Sequence, residues 1–267
     1  METHRNINGK KHKGEIVNDD VVEVYWSPAS FVNSQESWNL LYPEPELLKN
    51  KLHSIRTNFD GSFFSCPSTK EYLQNLYVLK SSVTDIIDLP TEYLNKTYME
   101  GGKENVPSQN RQIVALNKAR PSSLEGYSNL AYNLSWLFFS SEPLSLRISA
   151  PFFPPKTPSS GALLAGGEIN IGEWLRPVNL DYHVPLENTT FIIEEDDELA
   201  YIKFVTSKRV VLKRFVVNET LNNLYLEMSN VSLLYNKFQS LSKRYEMAQK
   251  SKIKNIVLNE IRKNLVE

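Results

Sequence analysis

Asp181, Tyr182 and His183 stand in the stretch NLDYHVP, a carboxylate and an imidazole two residues apart. On an extended strand such a pair shares one face, because side chains alternate. That arrangement suits a proton relay, or two of the three ligands of an iron facial triad. A triad needs a second histidine. The chain has four, His4, His12, His53 and His183. The first two fall in a polar N-terminal stretch, which leaves His53 from a distant segment. Just upstream, Trp174-Leu175-Arg176-Pro177 adds two of the residue types most enriched where proteins grip partners. Arg176 offers a planar fork for a carboxylate or phosphate. The candidate binding residues are therefore Trp174, Arg176, Asp181 and His183. The competing reading is structural: a strand corner with a core tryptophan, Arg176 paired with an acid such as Glu173, and Asp181 orienting His183.

Other chemistries find less support. Cys66 is the sole cysteine and sits in FFSCPS, where a small buried hydrophobe is the expected role. No Gly-x-Ser-x-Gly elbow, Walker glycine loop or EF-hand spacing occurs. SGALLAGGEINIG has four glycines but no helix behind it, so Gly166-Gly167 reads as a hairpin turn. No catalytic residue is assigned, and neither a metal nor a cofactor is called for.

The elements that would position these residues follow from periodicity. NLAYNLSWLFFS, PLSLRISAPFF, EINIGEWL, NLDYHVPL, TTFIIEE, ELAYIKFVT and RVVLKRFVV are short, rich in Ile, Val, Phe and Tyr, and divided by turn residues. VVEVYW, NLYVLK, TDIIDL and QIVALN are further strand candidates, and FFSCPSTKEYL suggests a strand on each side of Cys66-Pro67. Such spacing predicts an antiparallel β-sandwich or barrel, jelly-roll-like. In LSLRISA the pattern turns Leu144, Leu146 and Ile148 one way and Arg147 the other. In ELAYIKF it sets Ala200, Ile202 and Phe204 against Leu199, Tyr201 and Lys203. In NLDYHVP it sets Leu180, Tyr182 and Val184 against Asn179, Asp181 and His183. Five consecutive acids at 194–198 predict a solvated turn between two strands. PEPELLKNKLHSI opens a short helix after Pro45. GGKENVPSQN is the clearest loop.

After Val217 the period lengthens. Asn218 or Thr220 caps one helix, and Ile253, Ile256, Val257, Ile261 and Leu265 form the stripe of another running from about 242 to 265. The expected organisation is an arm over 1–20, a β domain over 21–217 and a helical segment over 218–267 packed on it.

Bulk composition sets outer limits. Thirty Lys and Arg against 31 Asp and Glu give no global field for nucleic acid. The last 26 residues hold seven Lys or Arg against three Glu, with Tyr245 as their single aromatic and no repeated interleaving, which fits a solvated helix face. No apolar run is long enough to span a bilayer as a helix. No secretory leader is visible, so the five Asn-x-Ser/Thr sequons read as chance. The expected protein is soluble and cytoplasmic.

Three stretches, GYSNLAYNLSWLFFSSEPLSLRISAPFFPP, GGEINIGEWLRPVNLDYHVP and DDELAYIKFVTSKRVVLKRF, resemble an uncharacterised protein family of large tailed phages, marine ones especially. The resemblance extends to SCPSTKEYLQNLYVLKS and SKRYEMAQKSKIKNIVLNEIRKNLV, and so covers most of the chain. It implies a viral source and action in the host cytoplasm. It carries no catalytic residues. DDELAYIKF is faintly similar to the Gly-Glu-x-Ile-Ala-Gln strand of the dUTPase and dCTP deaminase barrel. The uridine-binding Gly-x-Ile-Asp hairpin of that barrel is absent here, so its hydrolytic activity is not implied. Two functional classes remain. One is a non-catalytic binding or assembly protein acting through an unknown protein partner or self-association. The other is a β-barrel enzyme acting on a nucleotide or small anion.

Overall fold

A computed structural model of the chain describes residues 20–28, 42–55, 66–81, 84–88, 118–121, 124–152, 161–173, 175, 177–188, 190–230 and 253–266. The expected N-terminal arm, the GGKENVPSQN loop, the QIVALN strand and residues 231–252 lie outside these, apart from Asp20.

Two sheets face each other. The first contains β1 (Val21–Pro28), β5 (Lys118–Pro121), β6 (Tyr127–Ser140), β8 (Leu163–Leu164), β10 (Pro177–Pro185) and β13 (Arg209–Arg214). Its order is β13-β1-β6-β10-β8, with β5 beside β6. The second runs β2-β3-β12-β7-β9, from β2 (Glu46–Leu47), β3 (Leu76–Lys80), β7 (Ser145–Ser149), β9 (Gly167–Asn170) and β12 (Glu198–Phe204). A separate ribbon pairs β4 (Asp85–Asp88) with β11 (Thr190–Ile193). The fold is thus mainly β and sandwich-like, as expected. One pair departs from the antiparallel rule: β1 and β13 run parallel.

The predicted alternation builds the core between the sheets. Leu180, Tyr182 and Val184 meet Leu144, Leu146 and Ile148, together with Ala200, Ile202 and Phe204. Phe138 meets Phe204 edge-on at 5.7 Å between centroids, and Tyr77 meets Phe204 at 5.5 Å. Such aromatic contacts add to the area term of burial.

Helices cover both outer faces. On the first sheet lie α3 (Glu219–Asn230) and α4 (Ile253–Lys263). Tyr25, Leu137 and Phe139 pack there against Leu221, Tyr225, Val257 and Ile261. Asn218 begins α3 as expected, its side-chain oxygen accepting the Leu221 N–H at 2.9 Å. The stripe of α4 is rotated from the predicted one. Leu258 is buried, whereas Ile256 is exposed.

On the second sheet lie α1 (Leu48–Ile55) and α2 (Pro67–Leu73), with Leu48, Leu52 and Leu73 against Leu76, Val78 and Tyr201. Helical cover is therefore not confined to the C-terminus. The segment after Cys66 is a helix, not a strand, because Pro67 is well suited to a first helical turn.

Two local departures shape the outer faces. Gly166-Gly167 is not a hairpin: it carries the chain from β8 in one sheet to β9 in the other. Neither glycine has a positive φ. Gly166 packs closely, and a Cβ there would lie 3.1 Å from the Ile148 carbonyl oxygen. The second departure is a bulge in β12. Glu198 pairs with Lys80 and Ala200 with Leu79, leaving one extra residue on β12. Leu199 consequently joins Ala200 in the inter-sheet core, instead of sharing the outer face with Tyr201 and Lys203.

Candidate functional site

The chain between β9 and β10 is a corner between sheets. β9 ends at Asn170, a turn follows, and β10 begins at Pro177 in the opposite sheet. Gly172 is required in the turn. A Cβ there would sit 2.1 Å from the Glu142 carbonyl oxygen. Leu175 is fully buried in the cluster under α3 and α4. Its neighbours Trp174 and Arg176 lie outside the described residues.

Asp181 and His183 do share a face, and it is the outer one. Both are half-buried, and they stand opposite Ala131 and Asn129 of β6. Leu163 of β8 pairs with His183 on the other side and is exposed. Tyr182 between them points the opposite way, into the core, and donates to the Leu199 carbonyl at 2.8 Å. The carboxylate and imidazole therefore sit half-buried on the outer surface of the first sheet. The side chain of His53 lies outside the described residues. Among the described residues, no three His, Cys, Asp or Glu gather as metal ligands.

Cys66 departs from expectation: it is exposed, not buried. It precedes the first turn of α2, where the amide N–H groups of Thr69 and Ser68 pull its thiol below the usual thiol range.

The acidic run also needs correcting. Glu194, Glu195 and Asp196 are exposed in a turn closed by the Asp197 N–H to the Glu194 carbonyl at 3.1 Å. Asp196 takes a positive φ of 66° there. Asp197 and Glu198, however, are buried. Asp197 closes the turn from its side chain, accepting the Glu194 N–H at 2.9 Å. Glu198, at 2% exposure, forms an ion pair with Lys51 of α1 and accepts the Tyr201 hydroxyl at 2.6 Å. In a regular strand, residues 198 and 201 face opposite ways. The bulge puts both on the outer face, beneath α1.

A third buried acid, outside the acidic run, was not foreseen. Asp85, at 4% exposure, faces the core beside Ile87, Phe191 and Ile193, and its Oδ2 has no hydrogen-bond partner among the described residues. Burial raises its carboxyl above the ordinary range. The Tyr132 hydroxyl is raised above its usual value as well, first by burial and then by the charge of Asp85.

The ribbon that holds Asp85 also presents an apolar surface. Ile87 and Phe191 face in, whereas Ile86 and Ile192 pair directly across the outward face, 53% and 42% exposed. No third described strand pairs with either edge. The exposed acids 194–196 adjoin it, and the Glu195 N–H donates to the Thr84 hydroxyl at 3.2 Å. Strand patterning alone could not mark this surface. Ile86-Ile87 and Phe191-Ile192-Ile193 read as continuous apolar runs, which two-sided burial would equally explain.

Fold and surface together describe a helix-covered β-sandwich with an apolar-acidic ribbon at its margin. In comparisons with known proteins, no family model, curated protein or solved structure matches the chain. Among the described residues, no helix is long and apolar enough to cross a membrane.

Proposed function

We propose that this is a non-catalytic binding or assembly protein whose docking element is the β4–β11 ribbon. The observation that carries this reading is the exposed Ile86–Ile192 pair on a two-stranded ribbon with both edges open among the described residues. Proteins ordinarily blunt such edges with charge, proline or a covering element. An apolar pair left on one is what strand addition by a partner requires. The occupant is an extended segment of a protein partner with apolar residues for the isoleucines and basic residues for Glu194, Glu195 and Asp196. A second copy of the chain would bring another acidic turn rather than a basic complement. A viral source, as the family resemblance implies, accords with a small protein built to grip a host partner.

The enzyme reading rested on Arg176, Asp181 and His183 forming one pocket. Asp181 and His183 are half-buried on the outer face of the first sheet, and Arg176 lies outside the described residues, so the binding reading rests on the ribbon.

The test uses fluorescence anisotropy with a labelled peptide of alternating lysine and valine, and its glutamate-valine counterpart as control. The lysine peptide should bind, the control should not, and Ile86→Ser with Ile192→Ser should weaken binding at least ~10-fold, the equivalent of roughly 1.4 kcal/mol. Thermal stability should hold, because both side chains are exposed. Peptide binding unaffected by the double substitution would overturn the reading. So would sedimentation showing that the double substitution abolishes only self-association.

A further inference from the structure

The outer face of the second sheet holds an arrangement that neither packing nor the docking ribbon uses. Lys203 of β12 and Arg147 of β7 are direct cross-strand partners on that face. Like charges directly opposite one another destabilise a sheet, so their pairing needs a reason. Arg147 leans away to Glu168 of β9, with Nε at 3.2 Å and Nη2 at 3.1 Å from the same carboxylate oxygen. A guanidinium has five donors, so three remain. The Lys203 ammonium donates to the carbonyls of Glu71 and Tyr72 at the end of α2, at 3.2 and 3.0 Å. One of its three donors is left. It has no carboxylate partner among the described residues. Desolvation and then the charge of Arg147 pull its ammonium below the usual range, against a weaker opposing pull from the charge of Glu71.

Beside these cations stand two exposed aromatic rings. Tyr72 of α2 and Phe152 after β7 are 47% and 39% exposed and touch at 5.5 Å between centroids. The Lys203 ammonium is 5.2 Å from the Tyr72 ring centroid. Phe152 is itself braced edge-on by the buried Tyr201 at 4.9 Å. Phe152 is thus braced from below, and the two rings, tilted 57° to each other, both remain partly exposed.

The geometry points to a binding site for a nucleoside monophosphate, its base stacked on Tyr72 with the tilted Phe152 ring against its edge, and its phosphate held between Lys203 and Arg147. Charge and ring chemistry complement each other over a distance one nucleotide spans. A single-strand binder repeats such platforms over several nucleotides, and the chain's net charge of −1 supplies no field for a polyanion. One aromatic pair with one pair of cations accordingly favours the free nucleotide over a strand.

Calorimetric titration of the full chain with AMP, adenosine, inorganic phosphate and a thymidine octamer tests the site. AMP should bind more tightly than adenosine or phosphate, with an affinity that falls as salt rises. Tyr72→Ala should weaken AMP roughly 5- to 100-fold, the range of one stacked base, and Tyr72→Phe should restore it. Arg147→Gln, an exposed position whose loss leaves the fold intact, should weaken AMP and phosphate alike while sparing adenosine. AMP binding no tighter than phosphate, or unchanged in Tyr72→Ala, would refute the site. An octamer bound far more tightly than AMP would refute the free nucleotide as its ligand.

Discussion

Replacing Lys51 by methionine should be among the most damaging single changes to this fold. The substitution keeps the length of the side chain and removes its charge. It leaves the Glu198 carboxylate, whose side chain is 3% exposed, without a counter-ion and without water to replace it. Breaking a buried pair from one side typically costs about 3–5 kcal/mol. Here the Tyr201 hydroxyl still satisfies one carboxylate oxygen at 2.6 Å, so the lower end, about 3 kcal/mol, is expected. Glu198→Leu should cost less, about 1–2 kcal/mol, because the Lys51 side chain is partly accessible and its ammonium can reach solvent. The double substitution removes both charges and should return most of the loss, since buried pairs exchanged for apolar residues are often neutral. Urea unfolding followed by tryptophan fluorescence is a suitable assay, as Trp26 and Trp136 are fully buried. At roughly 2–4 °C per kcal/mol for a chain of this size, Lys51→Met should lower Tm by about 6–12 °C. Additive losses in the double variant would refute the reasoning. They would mean that the two side chains do not interact, and that the β12 bulge does not serve to bring Glu198 under α1.

Asp85 gives the clearest pH dependence. Its folded carboxyl lies above the unfolded reference of 3.8, so the folded state holds the proton more tightly. Stability is then lost as pH rises from the unfolded value through the folded one, and the loss is complete above it. Asp85→Asn should therefore be more stable than wild type at pH 7, with the difference shrinking to its floor near pH 3.5; a difference independent of pH would refute this. Two glycines form a matched pair. Gly172→Ala must displace the backbone at Glu142 and Pro143 and should cost about 1–3 kcal/mol. Gly167→Ala meets open space at a negative φ and should be neutral or stabilising by up to about 1 kcal/mol. Unfolding curves for the two variants check both.

The parts of this molecule that were legible in its sequence are those where one strand period runs unbroken. LSLRISA and NLDYHVP alternate without interruption, and Leu146, Ile148, Leu180, Tyr182 and Val184 all face the core as the period requires. ELAYIKF looks just as regular. Its bulge is set by the pairing of β12 with β3, a partner some 120 residues earlier, so no local window contains the information. That one extra residue turns Leu199 inward and Glu198 outward, which is why the acidic run misled: its last member is buried by contacts with α1 that the run itself does not predict. Cys66 misled for a related reason. FFSCPS is apolar on one side, but Pro67 starts a helix whose N-terminus holds the thiol at the surface. The Asp181–His183 pairing was legible as a shared face, while which side of the sheet that face occupied depended on where the helices docked. Function follows the same division. Alternation fixes which residues can share a surface, whereas the candidate sites at Ile86–Ile192 and at Lys203–Arg147 arise only from register between distant strands.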